Sequence, residues 1–496
     1  MRILLIISCL FVTQINAQTG LGVEYQRNVE CIGLTDFEDL LLSNSSFLLT
    51  KPKGSYRLAY GLEIQEAISG QFGGFYVFGL TSEIDFKLNK FPVSFNLNGF
   101  IGGGGGASAP DGSGLAYRYA IGLKRHLSPN LNFLARYSTY DLPTGSISGS
   151  QVQFGFSYGY KSIFNRDINN VRIAKQSVSI QSLFVDLDTN DSERIYENYL
   201  SKFISVEYAT HFTDNLEGLI RLQAAISSKI DGFMAYYSGL SYTAFKHKYF
   251  ALKFNSLIGS CGGGAMNTSG GFAYLMETGI DLNLSNKTIS LSKGYNASYA
   301  GAFSANYVQL GLKYHFESNL RFWSYGKKVD SYDGFKQKYI GVKTGIQVHQ
   351  APNALDRNSL IYENMSLMYF CLAHPIHNKI DILGETRWAM GGDYGAYAEW
   401  IIGFSTPIIN FNKFTLSTPI QMVVAGGGGI DVGKGFGIQL NLSADYHFAK
   451  SSSLSFSVGK LNFIDGNYTP LSFNINIKQN LYFTVSKTLS YSNLMY

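Results

Sequence analysis

The segment Phe91-Pro-Val-Ser-Phe-Asn-Leu-Asn-Gly-Phe-Ile101 runs directly into a glycine run at residues 102–106. Apolar segments that also end in glycines recur at residues 249–264 and 414–429. Aligning Ala67 with Ala225 brings Ala107 onto Ala265 without a gap, and the matching stretch of a third copy starts at Ala389. The spacing predicts three internal copies of about 160 residues each, far longer than the repeats of solenoid proteins.

Composition narrows the class of protein. Only 15% of the 496 residues are charged, whereas Gly, Tyr and Phe are abundant. This mixture is not typical of a helical enzyme or of a disordered chain. The net charge of +5 is not concentrated in any basic cluster, which argues against a nucleic acid partner.

The N-terminus has the layout of a cleaved export signal. Arg2 precedes an apolar run at residues 3–12, and Ala17 supplies a small residue before Gln18. We therefore predict a signal peptide at residues 1–17. No later apolar stretch approaches the roughly 20 residues that a membrane helix needs. The three remaining cysteines, Cys31, Cys261 and Cys371, are too few and of odd number for a disulfide framework.

Apolar and polar residues alternate along each copy, which is typical of strands with two different faces. In the third copy, Ile438, Leu440 and Leu442 alternate with Gln439 and Asn441. About eight such segments can be counted per copy, and the glycine run is predicted to end the fourth of them. The fold class is therefore predicted to be all-β and antiparallel.

The connections between these segments alternate between short turns and longer loops. A transmembrane β-barrel has this arrangement, with turns on the periplasmic side and loops outside. A strand in lipid must pair all of its backbone groups, so the sheet has to close on itself. A soluble secreted β-protein would show the same alternation with the apolar face buried, and it stays open as an alternative.

With these features the chain resembles the bacterial outer-membrane β-barrel proteins, and each copy resembles a small eight-stranded member. The resemblance covers essentially the whole mature chain. It implies location in the bacterial outer membrane, with outer-membrane lipid as a partner. It carries no catalytic motif, and we expect no enzymatic activity and no cofactor.

The copies can close in two ways. Three eight-stranded barrels in tandem would occupy residues 18–170, 171–330 and 331–496, whereas the alternative is one barrel of about 24 strands. The junctions at 161–175 and 317–338 are long, and a direct strand-to-strand connection would need only a tight hairpin. Long junctions favour three separate barrels, although single barrels of up to 26 strands and more also exist.

Charged residues on the polar faces are the candidate functional residues. In a small barrel they would fill the interior as ion pairs, and in a large one they would line a pore. The candidates that we expect to face the barrel lumen are Glu63, Arg118, Arg136, Arg221, Glu277, Glu385, Arg387 and Asp445.

Two other motifs are only weak indications of a phosphate-binding or metal-binding site. The stretch 428–435 approaches a phosphate-binding loop, but Gly435 stands where that loop needs Ser or Thr, and the stretch joins two strands. His374 and His377 have no third metal ligand nearby in sequence, so we expect a solvated turn and no metal site.

Two functions remain. The first is a non-catalytic structural or surface-interaction protein of the outer membrane, with a possible protein partner at its external loops. The second is a passive diffusion channel for small hydrophilic solutes. The sequence does not indicate the oligomeric state.

Overall fold

The computed structural model describes the long strands of the chain and most of their connections. The described residues are 22–34, 38–88, 91–160, 172–187, 190–191, 194–195, 199–226, 230, 232–264, 266–284, 286–318, 327–328, 335–351, 364–377, 379–392 and 394–486. The predicted signal peptide therefore lies outside the described residues. The regular structure within these ranges consists of β-strands, all antiparallel to their neighbours. Among the same residues there is no helix with the length and apolar character needed to cross a membrane.

The first eight strands form a closed barrel, which we call barrel 1. Each strand pairs with the next along the chain, and the first pairs with the eighth from Val23 opposite Tyr160 to Glu30 opposite Gln153. Its strands are Gly22–Ile32, Leu40–Lys53, Tyr56–Ser69, Tyr76–Lys87, Val93–Gly105, Leu115–His126, Leu131–Asp141 and Ser148–Tyr160.

Barrel 2 closes in the same way. Its first and eighth strands pair from Leu187 opposite Ala305 to Ala174 opposite Ser318. Its strands are Arg172–Leu187, Tyr199–His211, Leu216–Ala225, Met234–Lys246, Phe250–Gly262, Phe272–Leu284, Lys287–Ser298 and Ser304–Ser318. Two further short pairings accompany it, between Asn190–Asp191 and Arg194–Ile195 and between Lys327–Lys328 and its first strand.

Barrel 3 completes the chain. Its first and eighth strands pair over their whole length, from Gln350 opposite Leu471 to Phe335 opposite Ser486. Its strands are Phe335–Gln350, Met365–His377, Ile380–Gly391, Ala398–Phe411, Phe414–Gly426, Phe436–Ala449, Ser452–Phe463 and Leu471–Ser486. The prediction of three eight-stranded barrels is confirmed, and the alternative of one 24-stranded barrel is wrong. A single bridge between Ser318 and Val485 joins the walls of barrels 2 and 3.

The alternation of residue types along each strand sorts side chains between the inside and the outside of a barrel. In strand Phe436–Ala449, Leu440 is 57% exposed, whereas Gln439 is completely buried. The same division runs around all three barrels, so the outer surface is rich in exposed Leu, Ile, Val, Phe and Tyr. Apolar side chains thus cover the outside, while the interiors are largely polar apart from one buried apolar cluster in each barrel, such as Phe203, Phe233 and Phe303 in barrel 2.

The glycine runs lie at the loop ends of the barrels, but not where the sequence predicted. They end the fifth strand of each barrel, Val93–Gly105, Phe250–Gly262 and Phe414–Gly426, and the prediction of the fourth strand is wrong. The alignment without a gap is also wrong by one residue. Strand pairing places Gly105 opposite Tyr76 and Gly262 opposite Met234, and these pairs occupy the same position in barrels 1 and 2. Barrel 1 therefore has one extra residue between the fourth strand and the glycine run.

Candidate functional site: the barrel interiors and the cavity between the barrels

Arg118 lies fully buried in the interior of barrel 1. One of its terminal nitrogens lies 2.7 Å from Glu63 and 3.1 Å from Glu30, and the other donates to Asn98 at 2.9 Å. A buried charge must be paired and hydrogen-bonded to be tolerated. The two glutamates come from the first and third strands, so Arg118 ties opposite walls of the barrel together.

Barrels 2 and 3 contain the same kind of cluster. Arg221 lies 2.6 Å from Glu207 and 2.9 Å from Glu277. Arg387 donates its Nε proton to Glu385 at 2.6 Å and a terminal N–H to Glu399 at 2.7 Å. Each barrel thus encloses a buried arginine between two carboxylates, and barrel 1 also contains the buried Arg136.

The three arginines do not occupy equivalent positions. Strand pairing places Glu63 of barrel 1 at the position of Arg221 in barrel 2 and of Glu385 in barrel 3. The charge at one position has changed sign between copies, while the cluster of one arginine and two glutamates is kept. Each barrel therefore keeps opposite charges in contact within its lumen, although the residue at a particular position differs.

All eight candidate residues lie on the inner faces of the strands and are buried. Arg136 pairs with Glu83, which also contacts Lys124 at 2.8 Å. Asp445 accepts a hydrogen bond from Ser455. Sequence reasoning missed four of the seven carboxylates named above as partners of these arginines, namely Glu30, Glu83, Glu207 and Glu399. Alternation places these residues inside, but nothing in the sequence indicated which charges would meet within a barrel.

The glycine runs make the contacts between barrels. Gly73 N of barrel 1 donates to Ser269 O of barrel 2 at 2.6 Å. Next to it, a Cβ added to Gly74 would lie 2.3 Å from the nitrogen of Gly263, and one added to Gly262 would lie 2.3 Å from the nitrogen of Gly74. Barrels 1 and 2 therefore meet backbone to backbone.

Equivalent contacts join the other barrels. Strand pairing puts Gly74, Gly232 and Ala396 at the same position of barrels 1, 2 and 3. Ala396 N of barrel 3 donates to Gly104 O of barrel 1 at 3.4 Å, and a Cβ on Gly232 of barrel 2 would lie 3.4 Å from Gly427 N of barrel 3. Each barrel thus presents the same segment to the glycine run of the next, so the contacts form a closed ring of head-to-tail type.

A cavity of about 850 Å³ lies inside this ring, and loops of all three barrels line it. An apolar cluster adjoins the cavity: Tyr76 of barrel 1, Tyr236 of barrel 2, and Trp388 and Ala398 of barrel 3 are buried together. Phe78 of barrel 1 stacks on Trp388, with ring centroids 6.1 Å apart. Glycine-rich loops thus form much of the lining, and this aromatic cluster lies beside it.

Asp111 is a charged residue in the wall of this cavity, in the loop that follows the glycine run of barrel 1. Its Oδ2 accepts a hydrogen bond from the Gly106 N–H at 2.7 Å. The neighbouring Gly112 carbonyl accepts from Gly395 N of barrel 3 at 3.0 Å. Burial raises the pKa of Asp111 to about 6, although the Gly106 hydrogen bond opposes this shift.

An ion pair on the outer wall of barrel 1 was also missed by sequence reasoning. Arg27 and Glu66 point out of the barrel and lie 2.6 Å apart. Ser260 of barrel 2 donates to the other oxygen of Glu66 at 2.8 Å and lies 3.0 Å from the Tyr76 hydroxyl. This polar cluster fills the contact between barrels 1 and 2, whereas Phe78, Phe370 and Trp388 fill the contact between barrels 3 and 1.

Hydroxyl–imidazole pairs lie near the turn ends of all three barrels. Ser94 Oγ lies 3.0 Å from His126 Nε2, whose Nδ1 lies 2.7 Å from Asn132 Oδ1. Thr415 with His447 repeats the first contact at the same position of barrel 3, at 3.0 Å. Thr288 with His315 forms a similar contact at 2.8 Å, but between the last two strands of barrel 2. A nucleophile, a base and an orienting group can act in hydrolysis, but Ser94 is only 1% exposed. The recurrence in three barrels indicates a structural role at the turn ends.

No protein-family model and no curated protein matches the sequence. Solved structures that are similar include the siderophore receptor PirA from Pseudomonas aeruginosa, with 9% identity over 93% of this chain and 80% of that chain and a TM-score of 0.28. PirA from Acinetobacter baumannii is 10% identical over 93% of this chain and 81% of that chain, with a TM-score of 0.29. OccK5 (OpdH) from Pseudomonas aeruginosa is 9% identical over 94% of this chain and 98% of that chain, with a TM-score of 0.21. Because these TM-scores are low, the description of the fold rests on the strand pairing itself.

Proposed function

We propose that the protein is embedded in the bacterial outer membrane and has a non-catalytic, structural or surface-interaction role. The apolar outer surface supports the membrane location. A closed barrel leaves no unpaired strand edge for lipid to meet, and exposed side chains such as Leu312, Ile420 and Phe456 offer lipid an apolar face.

The buried arginine clusters are the observation that favours a structural role over a channel. The interior of an eight-stranded barrel is only wide enough to be filled by side chains. Here Arg118 and Arg221 form ion pairs across a lumen, with Glu30 and Glu277. Arg387 donates across its lumen to Gln439, and all three arginines are at most 1% exposed. A solute would have to break these contacts in order to pass.

Planar-bilayer recording of the purified full-length chain tests this function. We expect no steady open-state current, while a general porin reconstituted in the same lipid conducts. Large steady currents would overturn the scaffold role and favour the diffusion channel. Fractionation tests the location: a protein that stays soluble without detergent would be a secreted β-protein instead.

The loops at the glycine-run end are the part of the protein that would face a partner. A protein partner at these loops remains a prediction, and so does the absence of catalysis. A fluorophosphonate probe tests the latter at Ser94. We expect no labelling of the folded protein, and labelling that is lost in Ser94→Ala would show a reactive serine.

A further inference from the structure

The cavity between the barrels has the size and shape of a ligand site. Its volume of about 850 Å³ lies within the range of small-molecule sites in proteins. Its lining comes from all three barrels, so it exists only when the three are assembled. The glycine-rich lining carries few side chains, and this leaves room that ordinary residues would fill.

The charge of the lining is one-sided. Among the described residues that line the cavity, Glu38 and Asp111 are acidic, and none is lysine or arginine. Glu38 is exposed to solvent, whereas Asp111 is partly buried where barrels 1 and 3 meet. A positively charged ligand would find two carboxylates here and, within the described lining, no competing cation.

Aromatic residues also border the cavity. Trp400 is partly exposed there, whereas Trp388 and Tyr76 are nearly buried. An organic cation gains about 0.5–2 kcal/mol against the face of an aromatic ring, and tryptophan gives the strongest interaction. Carboxylates and a tryptophan ring in the same lining suit a cation that has an apolar body.

We propose that the cavity between the three barrels binds a small organic cation. Glu38 and Asp111 would attract the cation, and the partly exposed ring of Trp400 would contact its apolar body. The proposed site requires the assembly of the three barrels. It does not depend on whether the barrels conduct, so the planar-bilayer recording tests the proposed function and not this site.

Tryptophan fluorescence of the full chain in detergent measures this binding directly, because Trp388 and Trp400 border the cavity. Trp323→Phe removes the one other tryptophan of the chain. The probe is choline, and its uncharged isostere 3,3-dimethyl-1-butanol is the control for charge. We expect saturable quenching by choline, with the isostere at least about tenfold weaker, which corresponds to 1.4 kcal/mol.

Variants then locate the site. Asp111→Asn and Glu38→Gln should each weaken choline binding by at least about threefold, since each removes one charge near the ligand. Asp465→Asn is the matched control, because this loop carboxylate pairs with Lys434 and does not line the cavity. Three results would each overturn the proposal. Choline and its isostere could quench equally, choline could fail to quench at about 50 mM, or Asp465→Asn could weaken choline binding as much as the two cavity variants do.

Discussion

Gly74 of barrel 1 and Gly263 of barrel 2 approach so closely that a Cβ added to Gly74 would lie 2.3 Å from the Gly263 nitrogen. No side chain fits at such a distance, and Gly74 also adopts a φ of +96°, which other residues rarely adopt. Two separate barrels can therefore pack backbone against backbone at this point.

The first prediction concerns Gly262, the glycine of barrel 2 that faces Gly74. Gly262→Ala should lower the free energy of unfolding by about 2–3 kcal/mol, because overpacking of a rigid contact costs this much. Urea unfolding in lipid vesicles, followed by tryptophan fluorescence, measures it. Gly384→Ala is the control, since a Cβ there meets nothing within 4 Å. Equal effects of the two substitutions would show that the contact between barrels is not close-packed.

The ion pair between barrels 1 and 2 leads to a second prediction. Glu66→Ala should destabilise the protein by about 3 kcal/mol, because it leaves Arg27 without its carboxylate. Barrel 2 carries Ile180 and Ala224 at the equivalent positions. The double variant Arg27→Ile with Glu66→Ala should therefore recover most of the loss. A double-mutant cycle with no coupling would contradict a direct interaction.

Asp111 gives a pH dependence. Its pKa in the folded protein, about 6, is above the ordinary value of 3.8. The protonated form is therefore favoured by folding: the stabilisation is complete below pH 3.8 and is lost as the pH rises through about 6. The shift is caused by burial and opposed by backbone amides, with no charged side chain among its causes.

Comparison with Asp111→Asn isolates this residue, because asparagine is neutral and its oxygen can still accept the Gly106 proton. The stability of the native protein relative to this variant should be higher at about pH 4.5 than at about pH 7.5, because these values lie on either side of the pKa of about 6 in the folded protein. Urea midpoints at both pH values measure it. A difference of the opposite sign would mean that Asp111 is stabilised as a carboxylate.

Lys293 gives a prediction of increased stability. It is exposed on the outer wall of barrel 2, between Leu291 and Tyr295, and strand pairing places Tyr137 and Val458 at its position in barrels 1 and 3. A lipid-facing lysine costs up to about 2–4 kcal/mol, depending on its depth. Lys293→Val should therefore stabilise the protein in lipid vesicles by about 1–2 kcal/mol. Lys287→Val, at the end of the same strand, should change little, and an equal gain there would contradict a cost that depends on depth.

The sequence predicted those parts of the fold that repeat along the chain. Alternation placed Gln439 inside and Leu440 outside, and the long junctions indicated three separate barrels. The position of the glycine run was wrong by one strand, because residues 40–69 hold two long strands joined by a tight turn at Gly54. The function of the run could not be predicted at all, since Gly74 and Gly263 meet only after three barrels have closed.

For the charged residues, the sequence predicted which side chains face the lumen but did not predict their partners. Arg118 and Glu63 were placed in the lumen by alternation, whereas Glu30 lies far from Arg118 in sequence and was not recognised as its partner. Arg27 and Glu66 face outward, where a barrel in lipid should be apolar. Only the neighbouring barrel, with Ser260, explains two charges on that face.

The ring of three barrels is built within one polypeptide, and this changes how it responds to dilution. Linkers hold the barrels at a high effective concentration, so the ring does not fall apart into monomers as a trimer of separate subunits can. A trimer of identical chains would also repeat every substitution at all three contacts. Here each contact can diverge alone, which is how an ion pair at one and an aromatic stack at another can coexist in the same ring.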